Sequence, residues 1–148
     1  MPSIYTIRCA TCAAVNRVSS DKAGVMGRCG ACGKQLPILY DRPVAMDDTR
    51  FDQFINSYRL PVLAEFWAPW CAHCTAYAPV VREIAKNLAG RAAVVQVNTQ
   101  ENSRIAARLG VRGIPVIFMF INGQLRDQLA GVQTREAVLA MVSRHESR

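Results

Sequence analysis

The chain of 148 residues is 51% hydrophobic and carries a formal charge of +7. That length allows a compact domain with a small appendage, and no run reaches the roughly 18 apolar residues of a membrane span. The basic side chains stand singly, without clusters or interleaved aromatics, so the charge reads as a solvated surface and argues against nucleic acid as a partner. No apolar run of signal-peptide length precedes the first cysteine. This favours a cytoplasmic location, where thiols stay reduced and paired cysteines serve metal or redox chemistry.

Residues 1–44 are poor in helix-period signal and contain Gly24, Gly27, Gly30 and Gly33. Their candidate apolar core, Ile4, Val15, Val18, Val25, Met26 and Leu36, is too small to hold a fold without a metal or disulfides. Cys9-x-x-Cys12 and Cys29-x-x-Cys32, separated by sixteen residues, have the spacing of a four-thiolate zinc site. Each pair suits a tight turn, with Gly30 and Gly33 relieving backbone strain in the second. Two disulfides or an iron centre are the competing readings. Pro37 and Pro43 bracket Ile38-Leu39-Tyr40, which reads as the connection to a second unit. The expected division is a zinc-binding domain at 1–44 and a larger domain at 45–148.

From Met46 onward strand and helix signals alternate. Asp48 is placed to cap a short helix carrying Phe51, Phe54 and Ile55. Val62 to Phe66 is an apolar strand, and Cys71 to Ala89 is helical with Pro79 inside and Gly90 after it. Ala93 to Val97 is a second buried strand. Asn102 or Ser103 is expected to cap a helix with Ile105, Ala106 and Leu109, stopped by Gly110. Val116 to Ile121 is a third strand, and Asn122-Gly123 signals a hairpin into Gln124 to Leu129. Thr134 opens a last helix with Ala137, Val138, Met141 and Val142 on one face. The pattern predicts an α/β fold with an antiparallel hairpin at one sheet edge.

Cys71-Ala72-His73-Cys74 follows a strand and opens a helix. A helix N-terminus stabilises an anion, which suits Cys71 to act as a thiolate at the exposed tip, with Cys74 deeper. The first sulfur attacks a disulfide, and the second then releases the reduced product. A second metal site is the competing reading, but only His73 and His145 remain to complete it.

On these residues the chain resembles the thioredoxin family. Phe66-Trp67-Ala68-Pro69-Trp70-Cys71-Ala72-His73-Cys74 looks like its active-site strand and turn, Pro79 like its helix proline, and Gly113-Ile114-Pro115 like its cis-proline loop. Gly123 and Gly131 fall where the family has its hairpin turn and groove glycine. The resemblance covers roughly residues 45–146. With the N-terminal cysteines the chain is similar to the zinc-bearing bacterial subtype called thioredoxin 2. It implies a thioredoxin fold, a central mixed sheet flanked by helices, behind a zinc-ribbon-like domain. It also implies Trp70, Ile114, Pro115 and Gly131 as the apolar surface that receives a client's disulfide, with the Ile114 backbone free to pair with an extended segment.

Two positions depart from the family pattern. Between the cysteines stands Ala-His rather than Gly-Pro. His73 is expected to stabilise the Cys71 thiolate and make the pair more oxidising than the about −270 mV of an ordinary thioredoxin. Glu65 replaces a buried aspartate. Burial should raise its pKa and let it relay a proton to and from Cys74, while Gln96 stands where a lysine often accompanies the acid. A glutamate that reaches to the sheet edge is the structural alternative.

The leading function is therefore reduction of disulfides in cytoplasmic client proteins, with electrons that the resemblance assigns to a thioredoxin reductase. The expected cofactors are one structural zinc ion and the redox-active Cys71–Cys74 disulfide. An isomerase or oxidase, suggested by His73, and a zinc-ribbon recruitment module are the alternatives. Neither nucleic acid nor membrane is an expected partner.

Overall fold

A computed structural model of the protein describes residues 4–22 and 24–146. Residues 1–3 and Ala23 of the expected first domain, and residues 147–148 of the second, lie outside the described residues. No described helix is long and apolar enough to cross a membrane.

The chain begins with an antiparallel ribbon of β1 (Ile4–Arg8) and β2 (Val15–Ser19), in which Tyr5 faces Val18 and Ile7 faces Asn16. Both cysteine pairs lie in turns of one design. The N–H of Ala13 bonds the Cys9 carbonyl and that of Gly33 bonds the Cys29 carbonyl, both at 2.9 Å. In each turn the arginine before the first cysteine, Arg8 or Arg28, donates to the carbonyl of that same Ala13 or Gly33. Gly33 takes the expected left-handed conformation (φ 76°), matched by Ala13 at 65°. Gly30 does not; its N–H donates to the Asn16 side chain instead.

The expected apolar core of this segment is corrected. Ile4, Val15, Val25 and Met26 are all more than half exposed, and of the expected set only Leu36 is buried, in a cluster with Cys9 and Cys29. A ribbon of two strands has only one covered face. Tyr5, Ile7 and Val18 use it to pack against the larger unit, while the sulfur cluster supplies the local interior.

After a short β3 (Val44–Ala45) come α1 (Phe51–Ser57), β4 (Val62–Trp67), α2 (Ala72–Asn87), β5 (Ala93–Asn98), α3 (Ser103–Arg108), β6 (Val116–Ile121), β7 (Gln124–Ala130) and α4 (Arg135–His145). The five strands from β3 onward form one mixed sheet in the order β3-β5-β4-β6-β7. β3, β5 and β4 run parallel; β6 is antiparallel to β4 and β7 to β6. Asn122 (φ 53°) and Gly123 (φ 78°) turn the last hairpin, as the Asn-Gly pair predicts.

Side chains alternate across β4. Ala64 and Phe66 face α1 and α3, among Phe51, Phe54, Ile105 and Phe118, whereas Leu63 faces α2 and α4, among Val81, Ile84, Val138 and Met141. By the same alternation Glu65 shares the α2 side with Leu63. Burying each of these large side chains contributes about 1.5–3 kcal/mol, so α2 is held along its length by the second cluster.

Two expected helix caps are exchanged. Asp48 does not cap α1, whose entry is held by Asp47 accepting from the N–H groups of Thr49 and Arg50. Asp48 instead accepts from the N–H groups of Arg104 and Ile105 and so caps α3 from a remote segment. Asn102 makes no side-chain cap, and its Oδ1 accepts from the Asp48 N–H at 3.1 Å. A carboxylate satisfies two orphan donors better than one neutral amide, which explains the exchange. Thr134 caps α4 as expected.

The connecting segment is part of the core. Leu39 and Tyr40 are buried, and Tyr40 packs edge-on against Tyr5, Phe54 and Tyr58 with centroids 5.0–5.5 Å apart. At a second contact Gly24 lies so close to the Gly90 backbone that a Cβ on Gly24 would run into it. Arg59 adds a bond to the Asp21 carbonyl.

Candidate redox centre and candidate metal centre

β4 runs out at Trp67, and the Ala68-Pro69-Trp70 turn delivers Cys71 to the N-cap of α2. The Cys71 sulfur accepts from the Cys74 N–H at 3.2 Å, one of the donors that a helix start leaves without an intrahelical partner. It also approaches the Ile114 carbonyl at 3.9 Å. Both cysteines are free thiols. The expectation of an exposed Cys71 is corrected: the residue is only 7% exposed, because Ala68, Trp67 and Ile114 pack around the pair. Cys74 is deeper still, and burial, followed by the adjacent Cys71 sulfur, pushes its thiol up to about 12.

Glu65 is 2% exposed, so it does not reach for solvent at the sheet edge. Burial pushes its carboxyl up to about 7, against the opposing effect of a hydrogen bond from Gln96. Gln96 stands directly across the β4–β5 ladder, and its Nε2 donates to Glu65 Oε1 at 2.8 Å. The charge of Glu65 is also felt at Cys74. α2 continues unbroken through Pro79.

Ile114–Pro115 is a cis peptide, as the resemblance implies. Gly131 (φ 78°) donates its N–H to the Pro115 carbonyl at 2.9 Å, which joins the start of β6 to the end of β7. A groove of about 350 Å³ lies along Gly113, Ile114, Pro115, Ala130 and Gly131. The Ile114 N–H makes no hydrogen bond among the described residues. Trp70 stands next to Cys71 and is 71% exposed. Cys71, Cys74 and Ile114 thus converge, with Pro115 next in the chain to Ile114 and Glu65 buried on the α2 side of β4. His73 does not join them: it is exposed on the first turn of α2, and its ring makes no hydrogen bond to either sulfur.

Cys9, Cys12, Cys29 and Cys32 bring their four sulfurs within 4.8 Å of one another. Cys9 and Cys32 are 3.7 Å apart, and Cys12 and Cys29 are 3.6 Å apart. A tetrahedron with zinc–sulfur bonds of about 2.3 Å has edges of about 3.8 Å, so the cage fits that ion, whereas a disulfide requires about 2.05 Å. Cys29 is lowered to about 6, first by the Asn16 amide and then by the N–H groups of Cys32 and Ala31. Backbone N–H groups of Cys12 and Thr11 likewise hold Cys9 below its ordinary value. Asn16 is a supporting residue that the spacing of the cysteines did not reveal. The arginine before each pair was a visible sign of the turn's repeat.

A dithiol at a helix start, over a buried acid and facing a cis-proline loop, defines a thiol–disulfide oxidoreductase. The thioredoxin family model matches residues 42–144. Thioredoxin 1 of Nostoc is 40% identical over 98 residues, 66% of this chain and 92% of that protein. Chloroplastic thioredoxin M5 of rice is 35% identical over 113 residues, 76% of this chain and 66% of that protein. Among solved structures, a mutant thioredoxin from Halobacterium salinarum has a TM-score of 0.67 at 30% identity, covering 74% of this chain and 95% of that one. The chain belongs to the thioredoxin family, whose members are protein-disulfide oxidoreductases; the four-cysteine segment precedes the matched region.

The Glu65 carboxyl makes stability depend on pH. Its folded pKa lies above its ordinary 4.5, so the folded chain keeps a proton that the unfolded chain has already lost. The contribution of Glu65 to stability is then full below pH 4.5, falls as pH rises to about 7, and levels off above that. The loss is on the order of 3 kcal/mol. Glu65→Gln should remove this slope and be more stable than wild type at about pH 8. Denaturant titrations across pH check it; equal slopes in both proteins would count against an ionising buried Glu65.

Proposed function

We propose that the chain is a cytoplasmic protein-disulfide reductase of the zinc-bearing thioredoxin 2 subtype, with a zinc domain at residues 1–44 and a thioredoxin domain at 45–148. The Cys71 sulfur at the start of α2 carries this reading. As a thiolate it attacks one sulfur of a client's disulfide, forming a mixed disulfide and releasing the client's other sulfur as a thiolate. Cys74 then attacks Cys71, frees the second client thiolate, and leaves a Cys71–Cys74 disulfide; two electrons have passed to the client. A thioredoxin reductase returns the pair to dithiols.

The second attack needs Cys74 to lose a proton, and a thiol pushed up to about 12 does not do so unaided near neutral pH. Glu65, at about 7, is the buried base suited to take that proton. Trp70, Ile114, Pro115 and Gly131 receive the client, whose extended backbone meets the free Ile114 N–H. His73 stabilises charge at Cys71 through solvent-screened electrostatics rather than a direct bond, and so raises the reduction potential. Cys9, Cys12, Cys29 and Cys32 hold one zinc ion, which supplies a structural cross-link and takes no part in electron transfer.

Insulin-disulfide reduction tests the main reading: wild type should be active, Cys71→Ser inactive, and Cys74→Ser trapped as a mixed disulfide with the client. Activity retained by Cys71→Ser would overturn it. Redox titration should place wild type above about −270 mV, with His73→Pro shifting it downward; no shift removes His73 from the mechanism. Metal analysis should find one zinc per chain. Cys29→Ser should lose the zinc and the protection of the N-terminal segment against proteolysis, and full protection without metal would refute the structural role.

A further inference from the structure

The N-terminal ribbon is open on one side. β2 pairs only with β1, and no backbone hydrogen bond fills its other edge among the described residues. That edge lines a groove of about 330 Å³, closed on its far side by the strand-like stretches around Gly27 and Leu36. The floor is aliphatic, with Val18, Leu36 and Leu39, and Val25 is 55% exposed at the lip.

The rim is cationic. Arg17, Lys22 and Arg28 all line the groove, and none has a carboxylate partner among the described residues. Five basic side chains stand between Ile4 and Tyr40 against one acid, Asp21, so the segment stays net positive with four thiolates and one zinc ion counted in. An unpaired strand edge is a template for another strand. Added strands gain affinity from backbone bonds and specificity from the pockets beside them. Uncompensated charge around such a groove selects a partner of opposite sign. Nucleic acid is disfavoured because the groove holds no aromatic ring on which a base could stack.

We infer that this groove docks an extended, acidic segment of a partner protein, which adds to the free edge of β2 as a third strand and sets its carboxylates against Arg17, Lys22 and Arg28. The apolar residues of the segment fill the floor over Leu36 and Leu39. The site is independent of the redox pair, and its occupant need not carry a disulfide.

The test uses the full zinc-loaded chain and a short fluorescent peptide alternating valine and glutamate. Its valine–lysine counterpart, a backbone N-methylated copy and a single-stranded DNA oligonucleotide serve as comparisons. The acidic peptide should bind at least about tenfold more tightly than the lysine peptide and lose that margin with Arg17→Glu/Lys22→Glu. N-methylation should abolish binding, and amide exchange should slow along β2. Insulin reduction by the double variant should be unchanged, which separates this site from the redox centre. No binding of the acidic peptide, equal binding of the lysine or N-methylated peptide, tighter binding of DNA, or indifference to the double variant would each overturn the inference.

Discussion

The candidate redox centre depends on a hydrogen bond from the Cys74 N–H to the Cys71 sulfur, made where the first turn of α2 has donors to spare. Three parts of the fold converge on that bond. β4 aims the chain at the turn, the apolar face of α2 fixes the helix against the sheet, and the Ile114–Pro115 loop closes over the sulfurs. Loosening any of them moves one thiol relative to the other. The two sulfurs also differ sharply in environment although they stand one turn apart. Cys71 meets a helix-start N–H group, whereas Cys74 is pressed toward an apolar layer, and Glu65 is the one buried charged-type side chain among the described residues. Under the proposed mechanism the first sulfur attacks and the second must be deprotonated, which gives the acid a role where burial alone would disfavour it.

Glu65 is tolerated there because its neighbour across the ladder is an amide. Gln96 donates one hydrogen bond and brings no charge, so it partly offsets burial without fixing the carboxyl in its ionised form. A cation at that position would hold the carboxyl ionised and make it a poorer proton acceptor near neutral pH. The sheet register sets Glu65 opposite Gln96 and so brings residues of two separate strands into one hydrogen bond.

The four-cysteine unit is built on a different principle. Its strands bury little of their own apolar surface, and its interior is Cys9 and Cys29 packed with Leu36. Its attachment to the larger unit rests on aromatic edges, with Tyr40 between Tyr5, Phe54 and Tyr58; such pairs each add about 0.5–1.5 kcal/mol beyond their burial. The Gly24–Gly90 contact falls just beyond the C-terminus of α2. A helix of 16 residues spans about 24 Å, so this contact and the Cys71 sulfur lie at opposite ends of the same helix.

Much of this was legible in the residues themselves. The strands from Val62 to Ile121, the Asn122-Gly123 turn, the Thr134 cap and the two Cys-x-x-Cys turns rest on interactions within a few residues of one another, and local patterns encode those directly. The burial of Glu65 also followed from its place in an apolar strand. Other features required the folded chain. Asp48 caps α3 across more than fifty positions, Asn16 supports Cys29 from strand β2, Gln96 meets Glu65 through strand register, and Ile114 covers a cysteine that its own helix would leave exposed. An amino-acid string carries the chemistry of each donor and acceptor but not the distance between remote ones. Packing of the sheet, helices and ribbon decides which of them meet.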